Sequence, residues 1–308
     1  MSRLWPRFLR WASAWMAPPM PVVRLEIVRI FAPLAVIGFM SGRLVHADEW
    51  IGDAGFRVPH LAHNPNQPLY MPPLPSSLAW VVVVVMVLAG LAVSLGIRTR
   101  ASVLIFAATL AFVALSDRLA AFTVSKISPV IMLAVAAGPA GSRLGVDAWL
   151  RRRRGEPAAA AIAPLGSIRF LQLFLVTFYS ASGIAKAGGD WLTTPFVLWS
   201  HLHDTYQTAF TVVLANATPS FLWTPLQYSV LVFEGFAPLW FGLRYTRLVA
   251  LVFGLGMHAM IGLMFGPVIW FALLMMTLLV ACFLPERWLA PPPGKATARP
   301  TQPGDATA

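Results

Sequence analysis

Long apolar stretches alternate with short basic segments along this chain. Leu78–Leu95 and Ala101–Ser116 contain no charged residue, Phe221–Gly242 contains only Glu234, and Leu248–Pro285 contains only His258. A helix needs roughly 20 mostly apolar residues to cross about 30 Å of hydrocarbon. Unbroken runs such as Val81–Val85 do not show the alternation of a membrane barrel strand, and a helix satisfies its own backbone in lipid. The pattern predicts an all-α, polytopic transmembrane helical bundle of about eight spans, over 22–45, 78–96, 101–122, 126–141, 166–187, 222–243, 247–266 and 268–284. The stretch 195–216 is apolar but interrupted by His201, His203 and Asp204, so it is read as an interfacial or re-entrant segment.

Composition agrees. The chain is 58% hydrophobic and 11% charged, against about 25% charged residues in soluble domains. The formal net charge of +11 could point to nucleic acid, but its distribution argues otherwise. With the N-terminus inside, only Arg43, Arg57, Arg118, Lys126 and Lys186 among the 23 Lys and Arg fall outside. That asymmetry is the positive-inside signature. It implies cytoplasmic N- and C-termini, a plasma (inner) membrane location and anionic lipid as the partner of the inner face, with no nucleic acid. Residues 1–21 read as a cytoplasmic amphipathic interfacial helix, with Leu4, Phe8, Trp11 and Trp15 on one stripe beside Arg3, Arg7 and Arg10. Residues 22–285 form the membrane domain, and 286–308 read as a disordered tail. The single Cys282 excludes an intrachain disulfide.

Three ionisable groups stand out. Tyr179, Ser182, Gly183 and Lys186 share a helical face, and the small residues Ser180–Gly183 and Ala185 let a neighbouring helix approach. Burial disfavours the charged form of an amine, and a neutral amine can serve as a base. The competing reading is a lysine that snorkels to the head groups. Glu234 and His258 lie at matched depth on helices joined by a short turn, so a Glu234–His258 contact is expected, as a catalytic pair or a structural clasp. The outer histidines His60, His63, His201 and His203, with Asp204, have the makings of a metal site. The prolines Pro59 and Pro65 disfavour a helix there, and wet loop histidines are the preferred reading, with no metal expected.

The segment Tyr179–Trp191, Y-S-A-S-G-I-A-K-A-G-G-D-W, resembles a motif of the HTTM family, the membrane proteins related to vitamin K-dependent γ-carboxylase. Glu26–Ile30 resembles the family's arginine-containing first helix, and Leu95–Arg100 its basic turn. Gly145–Arg151, Phe233–Pro238 and Gly256–His258 are similar to further family segments. The resemblance implies a membrane enzyme or quinone-linked redox protein, with Lys186 matching the base that deprotonates a reduced quinone. Lys186, Glu234 and His258 are then the candidate catalytic residues, and Tyr179, Ser182 and Trp191 the candidate cofactor contacts, in a site that opens outward. The carboxylase has a large domain for its protein substrate, and the expectation here is a chain without one. Two other classes stay open. One is a non-catalytic, DoxX-like subunit serving a membrane or extracytoplasmic redox partner. The other is a small-solute transporter using Glu234 and His258. The topology is open to direct test: reporters fused at Ala54 and at the C-terminus should lie on opposite sides of the membrane, and a shared side would reject the orientation.

Overall fold

The computed structural model describes residues 12–55, 71–116, 122–203 and 206–289. Of the expected amphipathic N-terminal helix, residues 1–11 lie outside the described residues, as do the tail from 290, the histidines His60 and His63, and Asp204. Residues 12–16 are helical. A short antiparallel ribbon pairs β1 (Pro19–Pro21) with β2 (Ile162–Pro164), joining the start of the chain to the middle. Everything else of regular structure is helical: α1 (Val23–Leu44), α2 (Ala47–Trp50), α3 (Ser76–Leu95), α4 (Thr99–Ser116), α5 (Thr123–Ala136), α6 (Val146–Arg153), α7 (Gly166–Ala187), α8 (Val197–His201), α9 (Ala209–Ala217), α10 (Trp223–Gly235), α11 (Ala237–Gly242), α12 (Arg247–Met264) and α13 (Ile269–Phe283).

Among the described residues, five helical stretches are long and apolar enough to cross a membrane: α3, α4, α7, α12 and Gly266–Phe283, which contains α13. The count of eight is not reached, for three reasons visible in the helices. α1 has the length of a span but carries Arg24, Glu26, Arg29 and Arg43. α5, with Pro129 inside it, has 14 residues, which at 1.5 Å each cover about 21 Å. The expected 222–243 helix breaks into α10 and α11. Phe236 leaves helical geometry (φ −102°, ψ 21°), and Pro238 has no N–H to continue the ladder. Trp240 Nε1 donates to the Val232 carbonyl across the break, at 3.2 Å.

α1 is the centre of the bundle. It packs against α3, α5 and α13, while α7 packs against α10, α11 and α13. Leu25, Val28, Ala32, Val36 and Met40, spaced at helical intervals, are fully or almost fully buried. Close approach is built in at Gly38, where a Cβ would lie 2.5 Å from the Trp270 ring, and at Gly90, where it would meet Ile37 and Phe106. The outward faces are apolar too. Leu78, Val81, Val84, Leu88 and Leu95 of α3 are all at least half exposed, a surface far too continuous for water.

The basic-loop end is held by polar groups rather than by apolar packing. Glu26 and Arg29 form an ion pair (Nε–Oε2 2.6 Å) with essentially no solvent exposure. Arg29 also donates to the carbonyls of Val93 and Ser94 at 2.7 and 2.8 Å and of Leu144 at 3.3 Å. Glu26 accepts from the backbone N–H groups of Gly141, Arg143 and Leu144. The turn residues that allow this, Gly96 and Gly145, have φ of +71° and +99°, where a Cβ would be strained. Asp147 accepts from the N–H groups of Arg98 and Thr99 and from the Thr99 hydroxyl, all at 2.9 Å, and so caps α4 from another loop. Burial raises the pKa of this carboxyl, but those hydrogen bonds and the nearby Arg151 outweigh it and hold the carboxyl below its ordinary value.

Two measurements follow. Removing one member of a buried pair costs about 3–5 kcal/mol, so Glu26→Ala and Arg29→Ala should each unfold the purified protein at markedly lower temperature, with the double variant losing much less than both effects added. Asp147 has a depressed native pKa, so its stabilisation should be complete above the ordinary carboxylate value of about 3.9 and be lost as pH falls through the lower native value. The stability difference between wild type and Asp147→Asn should therefore be flat across neutral pH and shrink only in strong acid.

Candidate functional site

The small-residue run on α7 has a direct consequence. A Cβ on Gly183 would lie 2.5 Å from the backbone nitrogen of Gly235 and 2.9 Å from the Glu234 carbonyl carbon. α7 and α10 therefore meet backbone to backbone. Lys186, one turn on from Gly183, is brought against Glu234, the residue before Gly235. Its Nζ lies 2.6 Å from Oε1 and 2.5 Å from Oε2. The side chains are 25% and 8% exposed. The ammonium also lies 4.9 Å from the centre of the Trp191 ring.

Trp191 is held there by a residue of α10. Gln227, fully buried, donates to the carbonyls of Trp191 (2.7 Å) and Thr194 (3.1 Å) and accepts from the Leu198 N–H (3.0 Å). This fastens the loop after α7 onto α10. Thr208 and Thr211 fasten α9 to α12 by donating to the Leu263 and Met264 carbonyls. Between these elements lies an open-sided cavity of about 550 Å³. Lys186, Glu234, His201, Thr218 and Ser229 are the polar residues on its wall, beside Trp191. Its walls are otherwise almost wholly apolar, with Trp223, Leu226, Phe253, Met257 and Met260 among them. Trp223 is 3% exposed, and its indole Nε1 has no hydrogen-bond partner.

The model of the HTTM domain matches residues 19–288. The chain belongs to the HTTM family. No curated protein and no solved structure gives a significant match.

The segments that resemble HTTM motifs, Gly256–His258 apart, gather at two places. Glu26–Ile30, Leu95–Arg100 and Gly145–Arg151 meet in the polar clasp around Arg29. Tyr179–Trp191 and Phe233–Pro238 meet at the Lys186–Glu234 pair. His258 does not join that pair, which corrects the expected Glu234–His258 contact. Its Nε2 lies 2.7 Å from the Tyr179 hydroxyl, in a buried bond between α12 and α7, and its Nδ1 has no partner. Helix order explains the error. α10 packs along α7 and only lightly on α12, although the two are close in sequence. The His258 face of α12 turns toward α13, where Phe271 meets the imidazole edge-on at 5.7 Å. Tyr179 and Ser182 do not line the cavity. Tyr179 sits behind it, packed on Phe233 and Phe241, and Ser182 is half-buried. Among the described residues no group of three His, Cys, Asp or Glu could hold a metal. His201 and His203 donate from Nδ1 to carbonyls one turn back, those of Val197 and Trp199.

Sequence reasoning missed Gln227 and Trp223. Gln227 is the signal that was available: an amide inside an apolar stretch must find partners, but a survey of charges passes over it. Packing at Gly183 can be tested without touching the pair. Gly183→Ala should cost about 1–3 kcal/mol by overpacking. Gly235→Ala, whose Cβ meets nothing within 4 Å, should be nearly neutral in the same thermal unfolding measurement.

Proposed function

We propose that this HTTM protein is a multi-pass membrane protein with both termini in the cytoplasm, and that the cavity around Lys186 opens outward and takes a flat, apolar molecule carrying an ionisable hydroxyl. A quinol is the class that the family resemblance suggests. The observation that carries this reading is the Lys186–Glu234 ion pair on the wall of a large apolar cavity. Binding cavities for small molecules run to about 300–1,000 Å³ and combine apolar walls with few polar groups. The residues present fit such a ligand. Leu226, Phe253 and Met260 offer flat apolar contact and are themselves at least a third exposed, so the cavity communicates with the apolar outer surface of the bundle. A ligand dissolved in the bilayer could enter there. The Trp223 side chain on the cavity wall adds a large aromatic contact.

A bound quinol supplies an acidic hydroxyl and two-electron chemistry. The chain's own part is proton handling. Lys186 has three N–H donors, and its two hydrogen bonds both run to Glu234. Transfer of a proton from the ammonium to the carboxylate leaves a neutral amine on the cavity wall, able to receive a proton from a ligand hydroxyl. Trp191, fixed by Gln227, covers the amine on one side and limits water. Tyr179 and His258 hold α7 and α12 in register behind the pair. At the cytoplasmic face, the basic loops meet anionic head groups.

Protein purified in native lipid should retain a quinone-class molecule, identified by mass spectrometry of the extract. Trp223→Ala should retain at least several-fold less. Lys186→Arg should fold and retain the molecule but no longer take the proton of a bound quinol, read anaerobically as loss of the quinolate absorbance, since a guanidinium does not give up its proton. Undiminished quinolate absorbance in that variant would return Lys186 to a snorkelling anchor, and an extract holding phospholipid alone would reject the ligand class.

A further inference from the structure

At the end of the bundle opposite Lys186, a second cavity of about 350 Å³ is lined by four arginines: Arg24, Arg169, Arg244 and Arg247. They come from the start of α1, the start of α7 and the turn into α12, segments distant in sequence. Glu286 is the one carboxylate on its wall among the described residues, and it makes no ion pair with any of them. Four guanidinium groups around one small space repel one another, more strongly where water is scarce. The carbonyls they meet offset this only in part. Arg24 donates to the Ala281 and Leu284 carbonyls at the end of α13. Arg169 donates to the Trp15 carbonyl and to Gln172, and Arg247 to the Phe241 and Gly242 carbonyls.

Arg24 lies deepest: it is only 4% exposed, and its buried Nε has no hydrogen-bond partner, so the carbonyls it meets do not fully satisfy the guanidinium. The excess of positive charge around the cavity calls for an anionic occupant. Phosphate oxygens suit an arginine cluster because the guanidinium fork can bind them two at a time.

We infer that this cavity is a built binding site for a phosphate group, that of an anionic phospholipid head group. Location favours the lipid over a free ion. On α7 and α12 the residues next to the arginines, Phe170, Leu173, Leu248 and Val249, are exposed and apolar, which offers a track for acyl chains directly beside the phosphate. This site does not depend on the proposed role of the Lys186 cavity, and its occupant is distinguishable by charge from a neutral quinol.

The full-length protein is delipidated in detergent, reconstituted in nanodiscs of phosphatidylcholine with or without phosphatidylglycerol, and examined by native mass spectrometry for retained lipid. Wild type should retain phosphatidylglycerol at least tenfold over phosphatidylcholine. Arg169→Gln/Arg247→Gln should lose that preference, while Arg153→Gln, whose guanidinium instead lies over Trp149, should keep it. Should the double variant not fold, Arg244→Gln alters only an exposed side chain and should weaken the preference severalfold. Equal retention of both lipids by wild type, or an unchanged preference in the folded cavity variants, overturns the site. Displacement of the lipid by millimolar inorganic phosphate, with equal thermal stabilisation, overturns the lipid as its occupant and assigns it to a free anion.

Discussion

A carboxylate and a guanidinium with essentially no solvent exposure sit one turn apart on the central helix, and the basic-loop end of the bundle is organised by the need to satisfy them. Burying two charges costs several kcal/mol each, and mutual attraction repays this only when the remaining hydrogen-bonding capacity is filled. Here it is filled almost completely. Glu26 takes three backbone N–H groups besides Arg29, and Arg29 reaches three carbonyls besides Glu26. Those backbone groups belong to the end of α3 and to the loop between α5 and α6. The pair therefore decides where three separate segments meet, and the left-handed glycines at 96 and 145 exist to let them approach.

The Lys186–Glu234 pair shows what an unfilled pair looks like. Its partners among the described residues are each other and one indole face. The lysine is a quarter exposed, and the exposed part borders an apolar cavity. A saturated pair is a fastener, because any change in protonation breaks many bonds at once. An unsaturated pair on a cavity wall keeps hydrogen-bonding capacity free for a further partner. The two pairs differ in hydrogen-bond saturation more than in burial.

Much of this was legible in the sequence. Long apolar stretches gave the helical membrane architecture, and the small residues before Lys186 gave its close packing. What was not legible was adjacency in three dimensions. Glu234 and His258 have matching depths, but depth does not say which faces meet, and a short turn does not make two helices close neighbours when one of them breaks. Glu26 and Arg29 stand at an i, i+3 spacing that favours pairing, yet the six further hydrogen bonds come from segments far away in sequence. The backbone carbonyls and amides that decide these contacts carry no sequence signal. Gln227 and Trp223 were overlooked because they are uncharged, though each carries a polar group that burial forces into account.

The break between α10 and α11 ties the cavity to the fold. α10 lies along α7, whereas α11 packs on α7 and α12 together. An unbroken helix from 223 to 242 would follow one line and close on α12 throughout or not at all. With Phe236 out of helical geometry and Pro238 unable to donate, the chain changes neighbours at mid-length. The α11 half closes on α12 and also on α13, where Phe241 stacks on Phe283 at 4.2 Å. The α10 half stands off from α12, and the gap is the cavity between Leu226 on one side and Phe253, Met257 and Met260 on the other. Glu234 sits at the last turn before the break, where the helix is still held against α7 by Gly183 but already faces the gap. The proline that interrupts the helical run and the glycine that fastens it thus act together: one opens the apolar space, and the other places a charged pair on its wall.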